Sequence, residues 1–237
     1  MAAIYLRPAA RLVAAAATLS AAAYALLVTN AWRSYGYPPP PRPDERDALL
    51  DEFMPIYDVV ERHRIEINAP PAVVLAAAQD QDLMHSPVIR AIFRARELVL
   101  GATPDDRMRP AGLIATMQSL GWRVLAERPG REIVVGAVTR PWEADVVFRG
   151  LPPEQFAAYR EPGNVKIVWT LRAEPAGEHR SVFTTETRAV ATDATARARF
   201  RTYWAFASPG IAAIRLFTLR PLMREAERRA RELEGDA

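Results

Sequence analysis

The stretch Tyr57-Asp58-Val59-Val60-Glu61-Arg62-His63-Arg64-Ile65-Glu66-Ile67, followed by Asn68-Ala69-Pro70-Pro71-Ala72-Val73-Val74, decides how this chain folds. Its first eleven residues alternate. Tyr57, Val59, Ile65 and Ile67 fall on one side, and Asp58, Arg62, Arg64 and Glu66 on the other, which is the period of a strand with one face packed. Asn68-Ala69-Pro70-Pro71 stops the strand because proline brings no backbone donor, and the same prolines suit the first turn of a helix over Ala72 to Gln79. A second helix opens at Ser86-Pro87, carries Val88, Ile89, Ile92 and Phe93 to Leu98, and stops at Gly101.

Downstream, residues 113–120 fit helix or strand equally. Strand-like runs follow at Trp122–Glu127, Glu132–Thr139, Ala144–Arg149, Val165–Glu174 and Ser181–Ala191, with Pro129-Gly130 and Pro175-Ala176-Gly177 as turns. Val165, Ile167, Trp169 and Leu171 alternate with Lys166, Thr170 and Arg172, and turns this short imply antiparallel pairing. Pro152–Tyr159 has room for a helical turn or two. Asp193 is an N-cap for a helix whose Phe200, Tyr203 and Trp204 share a face. Ser208-Pro209-Gly210 predicts a break, after which Ile211–Leu233 resumes with Ile211, Ile214, Phe217 and Leu222 as the inner stripe. The order of strand, two short helices, antiparallel strands and a long final helix is that of one α+β domain.

Upstream, Leu12 to Trp32 is free of charge and bracketed by Arg11 and Arg33, long enough to cross a bilayer as a helix. The stretch reads as a membrane anchor first, and as a cleavable signal peptide or a buried helix otherwise. Tyr24 and Trp32 suit a lipid interface. A single-pass anchor places the protein at the cell membrane, with the domain on the extracytoplasmic side. Tyr37-Pro38-Pro39-Pro40-Pro41-Arg42-Pro43 then reads as an extended spacer. The expected division is 1–33 anchor or signal segment, 34–56 Pro-rich linker and 57–234 folded domain.

Among the 237 residues there is no cysteine, which excludes disulfides, thiolate metal sites and cysteine nucleophiles. Of 31 basic residues, Arg7, Arg11 and Arg33 precede the stalk, and the remainder balances the 28 acidic groups. A neutral domain argues against nucleic acid as a partner. No G-x-S-x-G elbow, phosphate-cradling loop or dinucleotide fingerprint occurs, and His63, His85 and His179 stand apart without metal-ligand spacing. No cofactor or metal is called for.

The entry Ile65-Glu66-Ile67-Asn68-Ala69-Pro70-Pro71-Ala72-Val73-Val74, with the element order, resembles the START-like (SRPBCC) superfamily of Bet v 1, polyketide cyclase/dehydrase and lipid-transfer proteins. Thr185-Glu186-Thr187-Arg188, Phe200, Tyr203-Trp204, Pro209-Gly210 and Ile214-Arg215 look more narrowly like bacterial members without assigned activity. The resemblance covers about residues 57–234. It implies a helix-grip fold, a curved antiparallel sheet wrapped around the last helix, and a cavity between them for an apolar small molecule. It implies no catalytic set, and fold alone does not fix function.

Candidate residues follow from the strand faces. Glu61 and His63 share a face with Tyr57, Val59 and Ile65, so they are either an acid–base pair inside the cavity or a structural contact. Trp169 and Trp142 either stack on a flat ligand or fill core, with Ile167 and Leu171 beside Trp169. Glu186 and Arg188 point to one side of their strand, either outward or into the cavity, where Arg188 would orient a ligand's polar end. The leading expectation is a membrane-tethered, monomeric binding or carrier protein for an apolar or amphipathic small molecule, lipids included. The alternatives are a cyclase- or hydratase-like enzyme using Glu61 and His63, and a structural or partner-binding domain with a filled core.

Overall fold

The computed structural model describes residues 2–103 and 110–235, with side chains from Thr18 onward. In chain order the elements are α1 (Ala2–Ser34), α2 (Ala48–Phe53), β1 (Val59–Ile67), α3 (Pro71–Gln79), α4 (Pro87–Leu100), α5 (Leu113–Ser119), β2 (Arg123–Arg128), β3 (Glu132–Thr139), α6 (Pro153–Ala158), β4 (Val165–Pro175), β5 (Ser181–Ala191) and α7 (Ala194–Gly235). The five strands form one antiparallel sheet in the order β1-β5-β4-β3-β2. This is an α+β helix-grip arrangement, with α7 and α3 laid on one face of the sheet.

Local chemistry sets the boundaries. Pro71 takes the first position of α3 behind Pro70. Ser86 caps α4 by accepting from the Ile89 amide at 3.4 Å, and Gly101 ends that helix in the left-handed region at φ 67°. Asp193 Oδ1 accepts from the amides of Thr195 (2.7 Å) and Ala196 (3.0 Å) to start α7. In β3, a Cβ on Gly136 would stand 2.5 Å from Leu125 Cδ1 and 3.1 Å from the Phe156 ring, so only glycine lets α6 close on the sheet.

Several sequence expectations change. Ala144–Arg149 is no strand: β2 and β4 flank β3, and only Arg149 pairs, with Val138 beyond the point where β2 stops. The break at Ser208-Pro209-Gly210 is absent, since α7 runs through both Pro209 and Pro221. Continuity moves its inner stripe to Phe200, Trp204, Ser208, Leu219, Leu222, Ala226 and Ala230, and leaves Phe217 about half exposed.

A further change concerns the N-terminus. Among the described residues no helix is long and apolar enough to cross a membrane. This overturns the expected anchor and, with it, the cell-membrane and extracytoplasmic placement; the side chains of residues 12–17 lie outside the described ones. The later part of α1 packs on α7 instead. Tyr24 Oη donates to the Phe206 carbonyl (2.8 Å), Arg201 donates to the Trp32 carbonyl (3.1 and 3.0 Å) and covers the Trp32 ring at 4.3 Å, and Tyr35 is buried edge-on to Phe200. The aromatic residues that suited a lipid interface serve a helix–helix contact.

The stretch expected as a linker also carries structure. α2 lays Leu49, Leu50 and Phe53, with Met54, over the outer face of the sheet, where they pack with Val134, Val168 and Phe156. Beneath this cover lie charged residues. Arg188, 1% exposed, donates to Glu186 (2.6 Å), Asp51 (2.5 Å) and the Met54 carbonyl (2.8 Å), and Arg62 donates to Glu186 from the other side (2.5 Å). Glu132 is equally buried. Burial and the neighbouring Asp47 carboxylate push its carboxyl up to about 8, against the pull of Arg172 and Arg128.

Candidate functional site

The inner face of the sheet is built in bands. At one end Val59, Val165 and Ala189 pack with Phe200 and Trp204 of α7. At the other Ile67, Ala173 and Phe183 pack with Leu219, Leu222 and α3. Between these apolar clusters two registered rows cross the sheet, Glu61–Thr187–Trp169–Val135 and His63–Thr185–Leu171–Ile133. Because successive cross-strand neighbours face the same way, this register alone places a polar patch from β1 and β5 beside the aromatic and aliphatic surface of β4.

Glu61 Oε2 lies 3.5 Å from His63 Nε2, an ion-pair distance without hydrogen-bond geometry. His63 Nε2 and Thr185 Oγ1 are buried without a hydrogen-bond partner. Thr185 and its cross-strand neighbour His63 thus share the inner face as groups without a hydrogen-bond partner, each costing on the order of 1–3 kcal/mol where none is found. Over this patch comes Arg215 of α7, whose Nη2 donates to Thr187 Oγ1 (2.7 Å) and whose guanidinium stands 5.9 Å from the Trp169 ring centroid. Desolvation pushes Arg215 down to about 10, opposed by the charge of Glu61. The arrangement offers a guanidinium, an imidazole, a carboxylate and two hydroxyls beside Trp169, which is itself edge-on to Trp122 at 6.4 Å.

The structure thus brings together Glu61, His63, Trp169, Leu171 and, one row further, Ile167. Trp142 borders the Ile167 end, partly buried, with its Nε1 also unpartnered. Arg188 is not among them. It points to the opposite face, because it is one residue out of phase with Thr187, yet it is not in water either, since α2 covers it. Arg215, Thr185 and Thr187 were missed in the sequence. Reading α7 as unbroken would have found Arg215, which follows Phe200, Trp204, Ser208 and Ile211 at helical spacing as the one charge in the inner stripe.

Two open pockets lie elsewhere. One of about 540 Å³ is lined by Asn68, His179, Arg180, Glu227 and Arg231 near the end of α7, and one of about 380 Å³ by Trp122, Arg123, Val124 and Gly150 beside β2. Neither is the expected space between sheet and helix. Among the described residues no cluster of side chains fit to hold a metal ion occurs.

No protein-family model matches the sequence, and no curated protein matches it. Bet v 1-like proteins stand among the solved structures to which it is similar. A protein of Thermobifida fusca is 15% identical over 71% of this chain and 93% of its own, with a TM-score of 0.32. A Thalictrum norcoclaurine synthase point mutant, in complex with a transition-state analogue, is 11% identical over 70% and 94%, at 0.31. A Streptomyces aromatase/cyclase is 16% identical over 72% and 94%, at 0.23. The helix-grip assignment rests on the strand order and on the helix laid across it.

Proposed function

We propose that the chain binds an amphipathic, mainly apolar small molecule between the inner face of the sheet and α7. Its polar end meets Glu61, His63, Thr185, Thr187 and Arg215, and its apolar body lies along Trp169, Leu171 and Ile167 towards Trp142. The observation that carries this reading is the pair of buried polar atoms without a hydrogen-bond partner, His63 Nε2 and Thr185 Oγ1, on neighbouring strands of the inner face. Buried polar groups ordinarily have partners, and a ligand supplies them here. Along α7 no residue from Pro209 to Phe217 is fully buried, whereas buried residues recur at Trp204–Ser208 and at Thr218–Leu222 on either side.

The 3.5 Å contact between Glu61 and His63 favours a second reading, in which the same pair moves a proton on the bound molecule. Native mass spectrometry of the purified full chain tests the first reading. A retained small molecule is expected, with occupancy falling at least severalfold in Trp169→Ala; a bare chain that also takes up no fluorescent fatty acid would overturn it. Recovery of the added molecule in chemically altered form would instead favour the second.

A further inference from the structure

The strand arginines that are not exposed, Arg62, Arg172 and Arg188, are all neutralised. Arg62 pairs with Glu186 and Glu45, Arg172 with Asp47 and Glu174, and Arg188 with Glu186 and Asp51. Arg215 differs. No carboxylate lies within ion-pair distance of it among the described residues; its one hydrogen bond to protein goes to the neutral Thr187 hydroxyl, and Glu61 acts on it only through space. A guanidinium carries five N–H donors in a planar fork, so most of its hydrogen-bonding capacity is open. The side chain is half-buried, and a planar carboxylate accepts two parallel hydrogen bonds from that fork.

We propose that Arg215 receives the carboxylate of the ligand, so that the molecule bound is an amphipathic carboxylic acid with its acid group at the middle of α7. The proposal rests on the binding site above and adds the charge of the ligand. The Thr185 hydroxyl and His63 Nε2, both unpartnered, lie in the row next to Thr187 and offer further polar contacts to the same head group. The apolar tail follows Trp169 and Leu171. Glu61 faces the same space, and its charge opposes an anion there.

The test compares dodecanoate with dodecanol, which share a tail and differ in charge, by titration calorimetry on the full chain, wild type against Arg215→Met and Arg215→Lys. The wild type is expected to bind dodecanoate about ten- to a hundredfold more tightly than dodecanol, the scale of a charged hydrogen bond. Arg215→Met should remove that preference while still binding dodecanol, and Arg215→Lys, which keeps the charge without the fork, should retain part of it. Equal affinity of the wild type for acid and alcohol, or an unchanged preference in folded Arg215→Met, overturns the carboxylate assignment and leaves the binding site standing. Failure of both probes to bind the wild type overturns the two together.

Discussion

At the scale of single residues, Arg188 of β5 and Arg215 of α7 lie on opposite faces of the sheet. Arg188 was legible as an ambiguous residue: alternation placed it with Glu186, and nothing in the strand said which face was inside. The deciding information lies in α2, distant in sequence, which turns an outer-face pair into a buried one. Replacing Arg188 by methionine should therefore cost on the order of 3 kcal/mol of stability, because the Asp51 and Met54 contacts go and Glu186 keeps only Arg62. Binding of a fatty acid should be untouched, since the site is across the sheet. Chemical denaturation and a binding titration on the same variant check both halves; loss of binding in a folded protein would put Arg188 in the site.

At the scale of elements, strands β1, β4 and β5 were readable because apolar residues recur at every second position along much of one face, and that period survives even where the opposite face is covered. Helix α7 was misread at Pro209, where local propensity argued for a break. Proline removes one intrahelical bond, and packing on both sides keeps the helix whole. The pairing of α2 with the outer face has its own signature. Glu132, raised to about 8 by burial and by Asp47, keeps a proton that the unfolded chain has released above about 4.5. The folded state then binds more protons than the unfolded one in that window, so this group's stabilising contribution is full below about 4.5 and is lost as pH rises through about 8. Urea midpoints measured at pH 5 and pH 8 should fall between the two in the wild type and fall less in Glu132→Gln, which mimics the protonated side chain. An identical fall in both would remove Glu132 as the cause.

At the scale of the whole molecule, the sheet separates two jobs. Its outer face is covered by α2 and α6 over the paired arginines Arg172 and Arg188, and its inner face holds an incompletely satisfied polar patch under the half-buried middle of α7. The α+β class could be read from the order of the elements, and the face that Glu61 shares with His63 and Trp169 with Leu171 from strand alternation. Thr185 and Thr187 could not, and Arg215 only with α7 taken as unbroken, because their meeting depends on the register of β1 with β5 and on the phase of a helix that crosses both. The N-terminal helix shows the same limit: composition suggested a membrane, whereas its docking on α7 depends on contacts such as Tyr24 with Phe206 and Arg201 with Trp32. The central claim is that a ligand sits between β1, β5 and α7. A crystal structure of the full chain soaked with dodecanoate tests it most directly: the account predicts the carboxylate on the Arg215 guanidinium and the tail along Trp169 and Leu171, whereas dodecanoate found only in the groove beside His179, Arg180 and Glu227, with the inner face closed, would contradict it.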